Sequence, residues 1–243
     1  MGITLLTEGI SSPKLAKDQR YLTYIMYLAS GTYRPELCPN AGDCLKSCLI
    51  TKAGRGAIGG PDNAVQRARK ARTDFLFSDR EGFLKQLHKE IDKAIVKARR
   101  LGLPLAIRLN GGSDLDWSEV YAKYSVNSSE SEPVPVLFWE YTKRPDLALK
   151  LTKLTNVHVT YSYSERTTNR ILGTMLANKI NVAMVFNTRK GHALPDHVGS
   201  IPVIDGDTSD LRFLDAKGVV VGLRLKSLRK PNLENNQFVQ QVA

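Results

Sequence analysis

From Pro104 onward, short apolar runs alternate with polar stretches. The runs are Leu105–Leu109, Val136–Tyr141, Val157–Tyr161, Val182–Phe186, Ile201–Ile204 and Val219–Leu223. Helical stretches separate several of them, near Trp117–Tyr124, Pro145–Leu154 and Arg166–Lys179. Strands alternating with helices predict βαβ units and a mostly parallel sheet. The aromatic and β-branched run Tyr21–Ala29 adds an earlier buried strand, bringing the count to about seven. An α/β fold built as a partial or complete βα (TIM-like) barrel suits that number better than a flat doubly wound sheet.

Between the first strand and the regular part lie a loop holding all three cysteines, a glycine-rich connector Gly54–Gly60, and two helices. The second helix starts near Asp79, with Ser78 or Asp79 as its cap. Its apolar positions Phe83, Leu84, Leu87, Ile91, Ala94, Ile95 and Ala98 recur at helical spacing, and Lys85, Lys89, Lys93, Lys97 and Arg100 fall largely outside that stripe. Ser125–Pro135 is polar, bracketed by proline, and reads as a flexible connector. The expected organisation is one domain over 1–225, with a cysteine loop at 38–48 and a basic helical segment at 62–101. A polar tail, 226–243, follows as an extension or terminal helix.

Composition narrows the class. A chain of 243 residues with 42% hydrophobic and 24% charged residues is ordinary for a globular protein. No stretch approaches the roughly 18 consecutive apolar residues of a membrane helix, and the N-terminus lacks a basic region followed by an apolar run. The expectation is a cytoplasmic protein without a membrane partner. Its net charge is +11, and Lys52–Arg100 carries 13 Lys+Arg against 6 Asp+Glu. Such an excess points to an acidic partner, with DNA, RNA or a nucleotide the leading class; the plainer reading is a solvated helical face.

Candidate chemistry gathers at two kinds of place. Polar groups follow the carboxyl ends of successive strands: Arg108, Asn110, Gly111, Gly112 and Asp114; Glu140, Thr142 and Lys143; Ser162, Ser164 and Glu165; Asn187, Arg189 and Lys190; Asp205 and Asp207. Parallel α/β folds build sites there, because the loops converge on one face. Cys38, Cys44 and Cys48 form a C-x5-C-x3-C cluster, an odd number unlike a disulfide framework. Thiolates so close together suit one soft metal or cluster, and three of them leave a fourth position open. A 4Fe–4S cluster and zinc both fit this spacing. Zinc would need a distant histidine, for which His192 and His197 are the best placed of His88, His158, His192 and His197. The Gly54–Gly60 stretch lacks the Lys-Ser/Thr of a phosphate loop, and Asp205-Gly206-Asp207 reads as a turn before it reads as a cation site.

The order of parts resembles radical S-adenosylmethionine enzymes, which have a partial βα barrel, a three-cysteine loop after the first strand, and a Gly-Gly-acid motif ending the second. Here the loop follows Tyr21–Ala29, and Gly111-Gly112-Ser113-Asp114 ends the next strand. The resemblance implies a 4Fe–4S cluster on Cys38, Cys44 and Cys48, with S-adenosylmethionine held by Gly111, Gly112, Asp114, Ser162, Ser164, Asn187 and Arg189. Val219–Leu223, with Gly222, would flank the adenine. Two features depart from that family: its usual spacing is C-x3-C-x2-C, and its aromatic residue before the last cysteine is Ser47 here. The segment C-P-x-A-G-x-C-x3-C, the Gly111–Asp114 turn, the Tyr141-Thr142-Lys143 strand end and the closing Gly206, Asp207, Asp210, Arg212, Val221, Gly222 and Leu223 resemble a phage gene-product family known chiefly by number. That resemblance implies the host cytoplasm and nucleic-acid modification.

Three functions follow as expectations. The first is a radical S-adenosylmethionine-like enzyme acting on a nucleotide or nucleic-acid base, with Asp114, Glu140, Lys143 and Asp207 as catalytic candidates. The second is a base-exchange, transglycosylase-like barrel modifying phage DNA through Asp114, Asp205 and Asp207. The third is a non-enzymatic nucleic-acid-binding protein stabilised by a metal, its basic helices on phosphate and Tyr141, Tyr161 and Tyr163 stacking on bases.

Overall fold

A computed structural model describes residues 2–11, 15–53, 56–125, 135–226 and 235–242. Its strands are β1 (Leu6–Glu8), β2 (Leu22–Met26), β3 (Leu105–Arg108), β4 (Val136–Thr142), β5 (Val157–Ser162), β6 (Asn181–Phe186), β7 (His197–Val198), β8 (Ile201–Asp205), β9 (Val220–Arg224) and β10 (Val239–Gln240). Its helices are α1 (Leu49–Lys52), α2 (Ala64–Ser78), α3 (Arg80–Leu101), α4 (Ser118–Lys123), α5 (Pro145–Leu151) and α6 (Asn169–Ala177). The expected connector Ser125–Pro135 falls mostly outside the described residues.

The strands form one sheet in the order β1-β2-β3-β4-β5-β6-β9-β8-β7. Pairing from β2 through β9 to β8 is parallel, with β3 to β6 laid down in chain order. This is the mostly parallel α/β architecture expected from the alternating pattern. The sheet does not close into a barrel. Both ends carry antiparallel strands: Leu6 opposes Met26 at one, and His197 opposes Pro202 at the other. Complete closure, one of the two forms expected, is thereby corrected to an open sheet.

The long helices form for local reasons. Asn63 Oδ1 caps α2 by accepting the Gln66 N–H at 2.9 Å, and Asp79 Oδ1 caps α3 by accepting the Gly82 N–H at 2.8 Å. Helix α3 ends at Gly102, whose φ of 65° suits a left-handed cap. Its stripe of Phe83, Leu87, Ile91, Ala94 and Ala98 is buried in the main core with Leu105, Ile107, Phe138 and Val182. Each large apolar side chain buried there contributes roughly 1.5–3 kcal/mol. The alternate strand residues Ile25, Ala106 and Trp139 form a smaller cluster with Leu15 and Leu211 on the other face. Glu90 of α3 pins the N-terminal edge, accepting the Leu5 N–H at 3.0 Å and the Leu6 N–H at 2.8 Å.

The tail returns to the sheet, for β10 pairs parallel with Val185 and Phe186 of β6. Among the described residues, no helix is long and apolar enough to cross a membrane.

Candidate metal and cofactor site at the carboxyl ends of the strands

The cysteine loop leaves the carboxyl end of β2 through tight turns. Ser30 O accepts the N–H groups of Tyr33 and Arg34 at 2.9 and 3.2 Å, and Pro35 opens a 3-10 turn over Pro35–Leu37. A second 3-10 segment, Gly42–Ser47, leads into α1. Gly42 has a φ of +50°, and a Cβ there would collide with the Glu165 carboxylate. Only glycine lets the loop turn at that point and pass under Glu165, whose Oε1 accepts the Asp43 N–H at 3.4 Å.

The turn after β3 packs directly on this loop. Gly111 N–H donates to Met26 O at 3.0 Å, and Asp114 N–H donates to Leu37 O at 2.8 Å. Cys38 Sγ lies 3.7 Å from Gly112 O. A Cβ on Gly111 would meet Met26 O at 2.6 Å, and one on Gly112 would overlap the Ile50 side chain. The two glycines therefore allow the β3 turn to approach β2 and the residues just past Cys48.

Asp114 is the acid at this junction. It is buried; Oδ2 accepts the Lys143 N–H at 3.0 Å, while the buried Oδ1 has no hydrogen-bond partner. Buried carboxylate oxygens are normally satisfied, so a vacant one invites a donor from a ligand. Burial pulls the Lys143 ammonium down, but Cys44, Asp114 and Cys38 outweigh it and hold its pKa above the ordinary value. Burial pushes the Cys38 thiol up to about 12 despite Lys143, and it also raises Cys48. Thiols so placed hold their protons until a cation competes for the sulfur.

Several residues outside the expected set hold this arrangement together. Asn40 Nδ2 donates to Lys143 O at 3.4 Å and Asn40 Oδ1 accepts from Arg166 at 3.3 Å, joining the loop to the ends of β4 and β5. Gln66 Nε2 donates to Ile50 O and Gly56 O, both at 2.6 Å, and Arg69 Nη1 donates to Ile50 O at 2.8 Å. Asn63 Nδ2 gathers the carbonyls of Gly56, Ile58 and Gly60 at 2.8–3.2 Å. Of these, only Asn63 left a sequence signal, as a capping residue type ahead of the basic helix. The tail covers the same end: Lys46 Nζ donates to Asn235 O at 3.0 Å, Gln237 N–H to Asp43 Oδ2 at 2.9 Å, and Lys143 Nζ lies 5.0 Å from the Phe238 ring centroid.

The remaining expected residues occupy varied surroundings. Glu140 is fully buried: Oε1 accepts the Tyr121 hydroxyl at 2.6 Å and the Leu109 N–H at 2.8 Å, and Oε2 accepts the Asn110 N–H at 3.2 Å. Burial pushes its pKa up to about 7 against those donors. Ser164 is buried, its N–H donating to Thr167 Oγ1 at 3.0 Å, and Ser162 is half-buried. Asn187 ties down the tail through Gln241 and the Val242 N–H, and Arg189 is exposed. Asp207 lies far along the sheet, where Arg224 Nη1 reaches Asp205 Oδ2 at 2.8 Å and Asp207 Oδ2 at 3.3 Å, and Lys226 Nζ reaches Asp207 Oδ1 at 2.9 Å. His192 and His197 are exposed, and His88 bonds Tyr124 at 3.0 Å.

Thiols and a carboxylate are ligand types that soft metals take, whereas Lys143, held as an ammonium, has no lone pair to give and is not a ligand. The cysteines are free thiols, and among the described residues no three His, Cys, Asp or Glu side chains are gathered closely enough to hold a metal ion.

These features define an α/β protein in which a three-thiol loop and a Gly-Gly-Ser-Asp turn meet at the carboxyl ends of adjacent parallel strands. The chain belongs to the gene product 88 family, whose model matches residues 4–240. Membership agrees with the numbered gene-product family read from the sequence and assigns no chemistry to the cysteine motif. No curated protein and no solved structure matches the chain.

Proposed function

We propose that the protein is a radical S-adenosylmethionine-like iron–sulfur enzyme acting on a nucleotide or nucleic-acid base. Cys38, Cys44 and Cys48 would hold a 4Fe–4S cluster, and the Gly111–Asp114 turn would receive the amino group of S-adenosylmethionine. The open parallel sheet is then a partial barrel with its site at the strand ends. The observation that carries this reading is the contact between loop and turn. Asp114 N–H bonds to Leu37 O, beside Cys38, while Asp114 Oδ1 is buried without a partner.

A cluster held by Cys38, Cys44 and Cys48 would supply one-electron chemistry, by which an external reductant's electron would break the S–C5′ bond of S-adenosylmethionine to give methionine and a 5′-deoxyadenosyl radical. The chain's own groups have simpler tasks. Asp114 presents a vacant acceptor to a bound ammonium, and the two glycines keep the turn close enough to the loop for one ligand to touch both. Lys143 places a positive charge beside Cys38, Cys44 and Asp114, offsetting the repulsion among anionic groups in a dry site. Asn40 and the Phe238 ring restrain the strand end that carries Lys143.

Anaerobic reconstitution with iron and sulfide tests the proposal. The expected result is a brown protein with close to four iron atoms per chain and a visible iron–sulfur absorption, absent from the triple cysteine-to-alanine variant. A colourless protein, or one equivalent of zinc without iron after anaerobic purification, overturns it.

A further inference from the structure

The two basic helices use their charge differently. On α2 the cations are engaged by the protein itself: Arg69 donates to Ile50 O and lies over the Tyr27 ring, Arg72 Nε donates to Thr4 O at 2.6 Å, and Lys70 pairs at the surface with Asp62 at 2.6 Å. On α3, Lys85, Lys89 and Lys93 are exposed, and among the described residues no ion pair involves them or Lys123. Only the next lysine on that stripe, Lys97, is paired, with Glu8 at 2.6 Å.

Spacing turns these lysines into a ladder. Positions four apart lie on one helix face and rise about 6 Å per step. Lys85, Lys89, Lys93 and Lys123 line an open groove of about 580 Å³, with His88 and Asp92 in its wall. Asp92 is itself engaged, accepting the Tyr124 hydroxyl at 3.1 Å. Lys85 and Lys89 also border a smaller groove of about 250 Å³ on the other side of the ridge. The cations therefore stand on a ridge, unpaired and evenly stepped, with open surface on both flanks.

We infer that this face of α3 is a docking surface for the phosphate backbone of a nucleic-acid strand. A regular row of point charges complements a polymer that repeats its charge at regular steps. A membrane surface would call for an apolar face to insert, and among the described residues Val96 is the only apolar one lining the larger groove. The surface extends the substrate class proposed above and needs no cluster, so the two ideas fail separately.

Fluorescence anisotropy of labelled single-stranded and duplex DNA and RNA, with the full chain both apo and reconstituted, tests it across a salt series. Apo wild type is expected to bind at low salt. K85E/K89E/K93E should weaken binding more than tenfold and lower the salt slope by about two to three phosphate contacts. K85Q/K89Q/K93Q, which adds no negative charge, should weaken it less but in the same direction. A control with the same net charge, K153E/R170E/K179E, should stay within about twofold of wild type. Equal losses in both reversal triples, unchanged binding by the glutamine triple, or no binding of any oligonucleotide by wild type overturns the inference. Binding to phosphatidylserine vesicles without oligonucleotide binding overturns it as well.

Discussion

The cysteine-loop end of the sheet and its β8–β9 end both gather acids and bases at the carboxyl tips of parallel strands, yet they satisfy them differently. At β8–β9, Asp205 and Asp207 are matched by Arg224, Asp207 also by Lys226, and the Arg224 N–H adds a bond to Asp207 at 2.9 Å. Around the cysteines, Asp114 Oδ1 and Glu165 Oε2 are buried without partners, and Cys38 is driven far from its ordinary pKa. A saturated cluster holds a turn in place. An under-satisfied one costs stability on folding and recovers it when a ligand supplies the missing partners. The same residue types are thus paired at one end and, at Asp114 and Glu165, left with a buried oxygen unpartnered at the other.

The largest effect expected from this contrast is on metal content. Replacing Cys38, Cys44 or Cys48 by alanine should abolish iron retention after reconstitution, whereas Asp205→Asn and Asp207→Asn should leave the iron count and visible spectrum intact. Loss of iron in the aspartate variants would break the contrast.

Next in size is Glu140→Gln, which removes one acceptor oxygen from a buried network and should lower stability by about 1–3 kcal/mol in urea melts. The pH dependence adds a second readout. The folded protein keeps the Glu140 proton up to about pH 7, while the unfolded chain releases it near 4.5. Over that interval the folded state binds more protons, so stability should be greatest below 4.5 for this group and fall as pH rises through 7. Glu140→Gln should flatten that part of the curve. An unchanged slope would remove Glu140 as its source.

Asp114→Asn should come third. The amide oxygen can still accept the Lys143 N–H, but the amide NH2 then takes the vacant position and turns an anionic acceptor into a donor. S-adenosylmethionine affinity, read by calorimetry on reconstituted protein, should fall about tenfold, or about 1.4 kcal/mol, with the cluster spectrum retained. Unchanged affinity would place the ammonium elsewhere. The smallest effect belongs to Asp207→Asn, which should lower stability by no more than about 1 kcal/mol, because a pair near the surface is worth little.

Much of this molecule was legible from its residue pattern. The strands expected from Tyr21 to Leu223 all occur, with ends shifted by a few residues, and Asp79 caps α3 as its residue type suggested. The short strands β1, β7 and β10 were not foreseen, because two or three residues carry no readable period. In the site, clustering singled out the cysteines and the Gly-Gly-Ser-Asp run singled out Asp114. The supports supplied by Asn40, Gln66 and Arg69 were not legible, since Asn40 and Lys143 are more than a hundred residues apart in sequence and meet only in the fold.

The basic segment marks the same division. The sequence by itself determined the alternation of strands and helices, the grouping of three thiols in one loop, and the excess of positive charge after it, because each is a local property of composition and spacing. Only the tertiary structure decided that the sheet stays open, since closure depends on what pairs with its two edges. Only it decided which cations remain free: α2 spends its arginines on backbone carbonyls, while the lysine ladder of α3 faces water.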